Sequence, residues 1–183
     1  MNGINESTKY PIRKTGYQPV MLVVSLLLVS FSSVATIVSP VVSPDWLIKN
    51  LNQPDLAIIE VSDKVEFLFN SHIPGSVVTN KSAWRFIDTD GSLVRLPIDV
   101  LEEKIRKLGV NNNDGVVIYY KGNNTDEILG AYYLFWLFHL LGYTNVGMLD
   151  QGWYGWLNIN GPQEDDTKEI TTGNFTARPL LAL

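Results

Sequence analysis

Four short apolar runs, separated by segments of helical character, constrain this chain more than any other feature. Leu56-Ala57-Ile58-Ile59-Glu60-Val61, Ser76-Val77-Val78, Gly115-Val116-Val117-Ile118-Tyr119-Tyr120 and Val146 to Leu149 are too short for helices. They are also too continuously apolar for a sheet with one wet face, so they read as strands covered on both sides, as in a parallel sheet. The intervening segments have helical signals. Ser43, Pro44 and Asp45 form an N-cap, a first-turn proline and a first-turn acid ahead of Trp46, Leu47 and Leu51. Asp99 to Leu108 places Leu101, Ile105 and Leu108 on one face, with Gly109 as the stop. Ile128 to Leu141 is apolar on every side and ends at Gly142, which suits a central buried helix. Strands alternating with helices predict an α/β fold, a parallel central sheet flanked by helices.

Ahead of that pattern lies a different kind of segment. Val20 to Val38 holds 19 uncharged, mostly apolar residues, about the length that spans a hydrocarbon core. Lys9, Arg13 and Lys14 precede it, so residues 1–19 read as a basic cytoplasmic N-terminus and everything after Val38 as extracytoplasmic. Two fates stay open: Ser33 and Ala35 have the spacing of a signal-peptidase site, while continuation of the run through Thr36, Ile37 and Val38 favours an uncleaved anchor. A Ser/Pro-punctuated linker follows, and the domain is expected over residues 42–162. From Gln163 the periodicity stops, and the acidic, Thr-rich residues 163–183 read as a disordered tail.

Composition removes several function classes. The chain has 183 residues and no Cys, so it has no disulfide, no thiolate metal site and no cysteine nucleophile. His72 and His139, far apart in sequence, are a poor basis for zinc, and the reading carries no metal and no cofactor. After residue 38 there are 11 basic against 18 acidic side chains, a balance that repels a phosphate backbone, so nucleic acid is not an expected partner.

Several stretches, in order, resemble one family: Val42 to Leu47, Ser71-His72-Ile73-Pro74-Gly75-Ser76, Gly115 to Tyr120, and Leu149-Asp150-Gln151-Gly152-Trp153 with Trp156 and Gly161-Pro162. Together they look like a rhodanese domain, the sulfurtransferase fold. The details are most similar to the N-terminal half of a tandem thiosulfate sulfurtransferase, with Asn174 to Pro179 similar to the linker into a second half. The resemblance implies that this half is catalytically silent and that a partner, a cysteine-bearing rhodanese-like domain, carries the nucleophile. It also marks Tyr120, Lys121, Gly122, Asn123, Asn124 and Thr125 as a vestigial active-site or partner-facing loop, and His72, Pro74, Gly75, Asp150, Gly152 and Trp156 as its structural motif. Asp126 and Glu127 are expected to satisfy the helix end where an anion would bind. His72 is expected to hydrogen-bond nearby backbone and fix its turn. Glu60-Val61-Ser62 stands where the family commonly has Asp-Val-Arg, which removes a candidate buried ion pair. The alternative reading is a membrane-anchored, non-enzymatic binding or scaffolding module.

Overall fold

The computed structural model describes residues 35–122, 124–167 and 169–179. In chain order they form β1 (Val41–Val42), α1 (Pro44–Asn50), β2 (Leu56–Val61), α2 (Lys64–Phe69), β3 (Val77–Thr79), a 3-10 turn (Lys81–Trp84), β4 (Arg85–Ile87) and β5 (Leu93–Arg95). Then follow α3 (Ile98–Lys107), β6 (Gly115–Tyr120), α4 (Thr125–Leu140), β7 (Val146–Leu149) and α5 (Gly152–Asn158). The main sheet runs β1-β7-β6-β2-β3, and every pairing in it is parallel. β4 and β5 make a separate antiparallel hairpin.

β6 lies in the middle, and its alternation divides the core. Val116 and Ile118 join Ile59, Val61, Leu101, Ile105, Leu134 and Phe138 on the face covered by α3 and α4. Val117 and Tyr119 join Leu47, Ile58, Leu149, Trp153 and Trp156 on the face covered by α1 and α5. Successive side chains of a strand point to opposite faces, so one apolar run supplies both cores. The helix signals hold locally: Ser43 Oγ accepts the Trp46 N–H at 3.2 Å with Pro44 in the first turn. Gly109 follows α3 with φ +84°, the left-handed conformation that glycine adopts without cost.

The domain begins earlier than the expected residue 42. The Thr36 and Val38 backbones hydrogen-bond Asn145, and Val38 is packed into the core with Val42 and Leu47. The end of the expected Val20–Val38 segment is therefore part of the folded domain, because a valine with core neighbours gains more there than on a linker. The rest of that segment, residues 20–34, and the basic residues 1–19 lie outside the described residues. Among the described residues no helix is long and apolar enough to cross a membrane.

The tail also departs from expectation. Residues 173–178 are docked, with the Gly173 N–H on Arg106 O at 2.8 Å, Phe175 N–H on Val110 O at 3.2 Å and Arg178 N–H on Leu141 O at 2.7 Å. Asn174 Oδ1 accepts the Asn112 N–H at 3.0 Å. Phe175 is fully buried, its ring edge-on to Phe138 and Tyr143 at 6.0 and 5.4 Å. One aromatic and individually placed backbone bonds hold this strap, so it shows no periodicity to read. Lys168 and residues 180–183 lie outside the described residues.

Phe175→Ala empties a fully buried site and is expected to cost about 3 to 5 kcal/mol, read as a lower urea midpoint with unchanged slope. A midpoint equal to the wild type would return the segment to the status of a free linker.

Candidate functional site

The carboxyl ends of the parallel strands converge on the loop that leaves β6, the position where open α/β sheets form their crevices. Tyr120, Lys121 and Gly122 lead from the strand, Asn123 lies outside the described residues, and Asn124 caps α4, which starts at Thr125. Asn124 Oδ1 accepts the Glu127 N–H at 2.9 Å. The Glu127 carboxylate folds back to accept the Gly122 N–H. The amide that would face an anion in front of α4 is thus occupied by a side chain of the same helix, whose negative charge also suits the positive helix end. Asp126 instead turns outward to Lys81 at 2.6 Å, an exposed pair of small energetic value.

Lys121 points the other way. Its ammonium donates to Ser71 O and lies 3.8 Å from the centroid of the Trp153 ring, a cation–π contact. Burial pushes its pKa down, and the carboxylates of Glu60, Glu66, Glu127 and Asp165 push it back up. The cavity it borders has a volume of about 380 Å³ and is lined also by Ser71, Gly122, Tyr154 and Gln163.

Beneath the loop sits a buried polar cluster. Glu60 is fully buried and accepts hydrogen bonds from Ser62 Oγ at 2.6 Å and from the Tyr119 hydroxyl. Burial raises the Glu60 carboxyl, and the Ser62 and Tyr119 hydroxyls work against that rise. Burial first, and the Glu60 charge second, raise the Tyr119 phenol well above its ordinary value. Tyr119 Oη also accepts the Ile73 N–H at 3.2 Å, so the His72-Ile73-Pro74-Gly75 turn is tied to the central strand. At Glu60-Val61-Ser62, where the family commonly has Asp-Val-Arg, the Ser62 and Tyr119 hydroxyls satisfy the acid. The sequence reading names the stretches that hold Ser62 and Tyr119 but not their bonds to Glu60, because these depend on the pairing of β2 with β6.

The motif residues fall into two groups. His72 pairs with Glu164 of the tail through reciprocal backbone bonds, both 2.9 Å, and Gly75 N–H donates to the Glu164 carboxylate at 2.7 Å. The His72 ring stacks on Phe67 at 4.1 Å, and its buried Nδ1 has no hydrogen-bond partner among the described residues. The turn is accordingly fixed by the His72 backbone and not through Nδ1 of the ring, and Pro74 sets its φ. Asp150, Gly152 and Trp156 form the second group. A Cβ on Gly152 would lie 2.7 Å from the Tyr120 ring, and Gly152 has φ +53°, so only glycine lets the β7–α5 turn approach Tyr120. Trp156 Nε1 donates to Pro162 O at 2.8 Å and closes the end of the domain.

On the other side of the α4 start lies a second cavity of about 570 Å³. Ser62, Lys81, Arg85 and Glu127 border it, and Phe86 and Leu93 of the β4–β5 hairpin form its rim. Among the described residues no group of three His, Asp or Glu side chains could hold a metal ion.

A family model described as a rhodanese-like domain matches residues 43–159. A putative thiosulfate sulfurtransferase of Synechococcus elongatus is 30% identical over 183 residues, covering 94% of this chain and 55% of that protein. The putative thiosulfate sulfurtransferase SseA of Mycobacterium tuberculosis is 31% identical over 142 residues, covering 76% of this chain and 44% of its own. The chain spans about half the length of the curated relatives it matches. The crystal structure of SseA from Escherichia coli, described with the fold and mechanism of 3-mercaptopyruvate sulfotransferases, aligns with a TM-score of 0.62 at 24% identity, over 77% of this chain and 57% of that one. Tum1 of Saccharomyces cerevisiae aligns with a TM-score of 0.59 at 17% identity, over 76% and 49%. These two likenesses concern the fold.

Because the folded state raises the Glu60 carboxyl above its ordinary value of 4.5, it binds that proton more tightly than the unfolded chain does. Stability from the protonated acid is therefore present below about pH 4.5 and lost as the pH rises through the folded pKa. Urea midpoints of wild type and Glu60→Gln, measured from pH 4 to 8, should diverge with rising pH at the expense of the wild type. A constant gap would show that Glu60 titrates as an ordinary carboxylate.

Proposed function

The chain belongs to the rhodanese-like domain family, and from that premise we propose that it is a catalytically silent module, the partner half of a sulfurtransferase. The observation that carries this reading is the end of β6. The resemblance puts the sulfur-carrying cysteine in this loop, and here Lys121 follows the strand while Glu127 fills the neighbouring Gly122 amide. Sulfane transfer needs a nucleophile that can attack sulfur, hold it as a persulfide and release it to a thiophile, which is thiolate chemistry. The chain has no cysteine to do this. A fixed carboxylate in the cradle would further repel an anionic donor such as thiosulfate.

The partner in this proposal is a cysteine-bearing rhodanese-like domain on another chain or on a continuation of this one. Relatives about twice as long support it. Phe175 of the tail is buried in this domain's own core and so offers a partner no apolar side chain. The hairpin offers more: Phe86, Ile87 and Leu93 are exposed beside the α4 start. The module is proposed to lie outside the cytoplasmic membrane, a placement that rests on the basic residues before the apolar run. The non-enzymatic binding module is the reading that remains if no such partner exists.

Two assays test this. Purified domain given thiosulfate and cyanide should form no thiocyanate above a buffer control, and a rate that scales with protein would overturn the silent reading. Protease added to intact spheroplasts should digest the domain, and full protection until lysis would reverse the topology. For the partner, a cysteine-bearing rhodanese-like protein should co-purify with the chain from its own host, and a Phe86→Asp, Ile87→Asp variant should lose it. A monodisperse chain that recovers none would leave the solitary binding module.

A further inference from the structure

The first described contacts of the domain fall immediately behind a pair of small residues. The Thr36 N–H donates to Asp55 Oδ2 at 2.5 Å, and Thr36 Oγ1 donates to Asp55 Oδ1 at 2.7 Å. Thr36 O accepts from Asn145 Nδ2 at 2.8 Å, and the Val38 N–H donates to Asn145 Oδ1 at the same distance. Two glycines make room for this strand of chain. A Cβ on Gly115 would stand 2.7 Å from Thr36 O, and one on Gly147 would stand 2.0 Å from Ser39 O. Thr36 to Ser39 is thus seated against β6 and β7, and the Val38 side chain is in the core.

That seating shortens the apolar run. What remains for a membrane is Val20 to Ala35, 16 residues, or about 24 Å as a helix against a hydrocarbon core of about 30 Å. The argument for an anchor depended on Thr36, Ile37 and Val38, and Thr36 and Val38 on either side of the exposed Ile37 are held by the domain. A span of 16, basic residues before it, and Ser33 and Ala35 at its end fit the length, flank and small-residue exit of an export leader. Ala35 itself is exposed.

We propose that the chain is cut at the Ala35–Thr36 peptide bond and that the new amino terminus of Thr36 is held by the Asp55 carboxylate. This rests on the export reading above. The reaction is hydrolysis: water adds its hydroxyl to the Ala35 carbonyl, the C–N bond breaks, and the amine leaves with a proton. A peptidase that accepts small side chains at the first and third positions before the bond supplies the catalysis. The amide N–H of Thr36 already points at Asp55 Oδ2, so the ammonium formed in its place converts a neutral donor into a charged one on the same acceptor, which strengthens the contact. Cutting precedes the docking of Thr36, because a bond flanked by the Asp55 and Asn145 contacts cannot lie extended in a protease cleft.

The test is expression of the full chain with a carboxyl-terminal tag in its own host, followed by fractionation, intact mass and amino-terminal sequencing. The expected species is soluble, extracytoplasmic, lighter by 35 residues and begins with Thr36. Ala35→Phe should leave a full-length, membrane-associated species. In the processed protein, Asp55→Asn should leave the cut site unchanged and lower the thermal midpoint by about 2 °C, the shift of a modest ionic contact in a domain of this size. A full-length protein in the membrane with its domain outside would overturn the cut and leave export standing. A domain recovered inside the cell would overturn export itself. A first residue other than Thr36, or an unchanged midpoint, would overturn the role of Asp55.

Discussion

The pairing of β2 with β6 is the contact on which the other parts of the domain depend. Six residues of each strand are in parallel register, from Leu56 opposite Gly115 to Val61 opposite Tyr120. With β7 on the far side of β6 and β3 on the far side of β2, these two strands have no free edge. Neither face meets water, since α3 and α4 bury Val116 and Ile118 while α1 and α5 bury Val117 and Tyr119. Such a strand tolerates polar groups only where partners are supplied. Glu60 and Tyr119, adjacent in the ladder, meet that condition by bonding to each other and to Ser62 and Ile73.

That buried pair ties the end of β6 to the segments around it. Tyr119 ties the central strand to the turn at Ile73, and Ser71 in front of that turn receives the Lys121 ammonium. The turn is in turn joined to the tail through His72 and Glu164. Strand end, turn and tail therefore form one connected hydrogen-bonded unit. Lys121 is held within it by a backbone carbonyl and an aromatic face, so its charge is directed into the structure and not towards an incoming anion.

Much of this was legible in the sequence because it depends on local patterns. β2, β6 and β7 are apolar runs with the bounds the pattern gives, α1 carries its Ser43 cap and α3 its Gly109 stop in the chain itself. The α4 start was readable in part: Asp126 and Glu127 marked the helix end, but the helix read as Ile128 to Leu141 begins at Thr125, behind the Asn124 cap. The β4–β5 hairpin was not, because its three-residue strands leave Phe86, Ile87 and Leu93 exposed and show no buried face. α2 was missed although a signal existed: Asp63 caps it, and Glu66 stands three residues on. The strap is the clearest failure of pattern reading. Phe175 is one residue whose partners, Phe138 and Tyr143, lie more than 30 positions away, and no window of sequence can show a contact of that range.

On the proposed reading, the loop keeps the architecture of this fold's site without its reaction. A persulfide-bearing loop must present several amides to one anion, and those amides cost stability if they are buried and unsatisfied. Here Glu127 satisfies Gly122, and Asn124 satisfies Glu127 in turn. The arrangement trades a vacancy that a substrate would fill for a permanent internal ligand. Restoring chemistry would therefore take more than a cysteine at Lys121: the Glu127 carboxylate would have to leave the amide, and the cation now over Trp153 would be lost with the substitution. The observed contacts of this loop and a catalytic state of it make opposite demands on the same two residues, and this supports the proposal that the loop is silent.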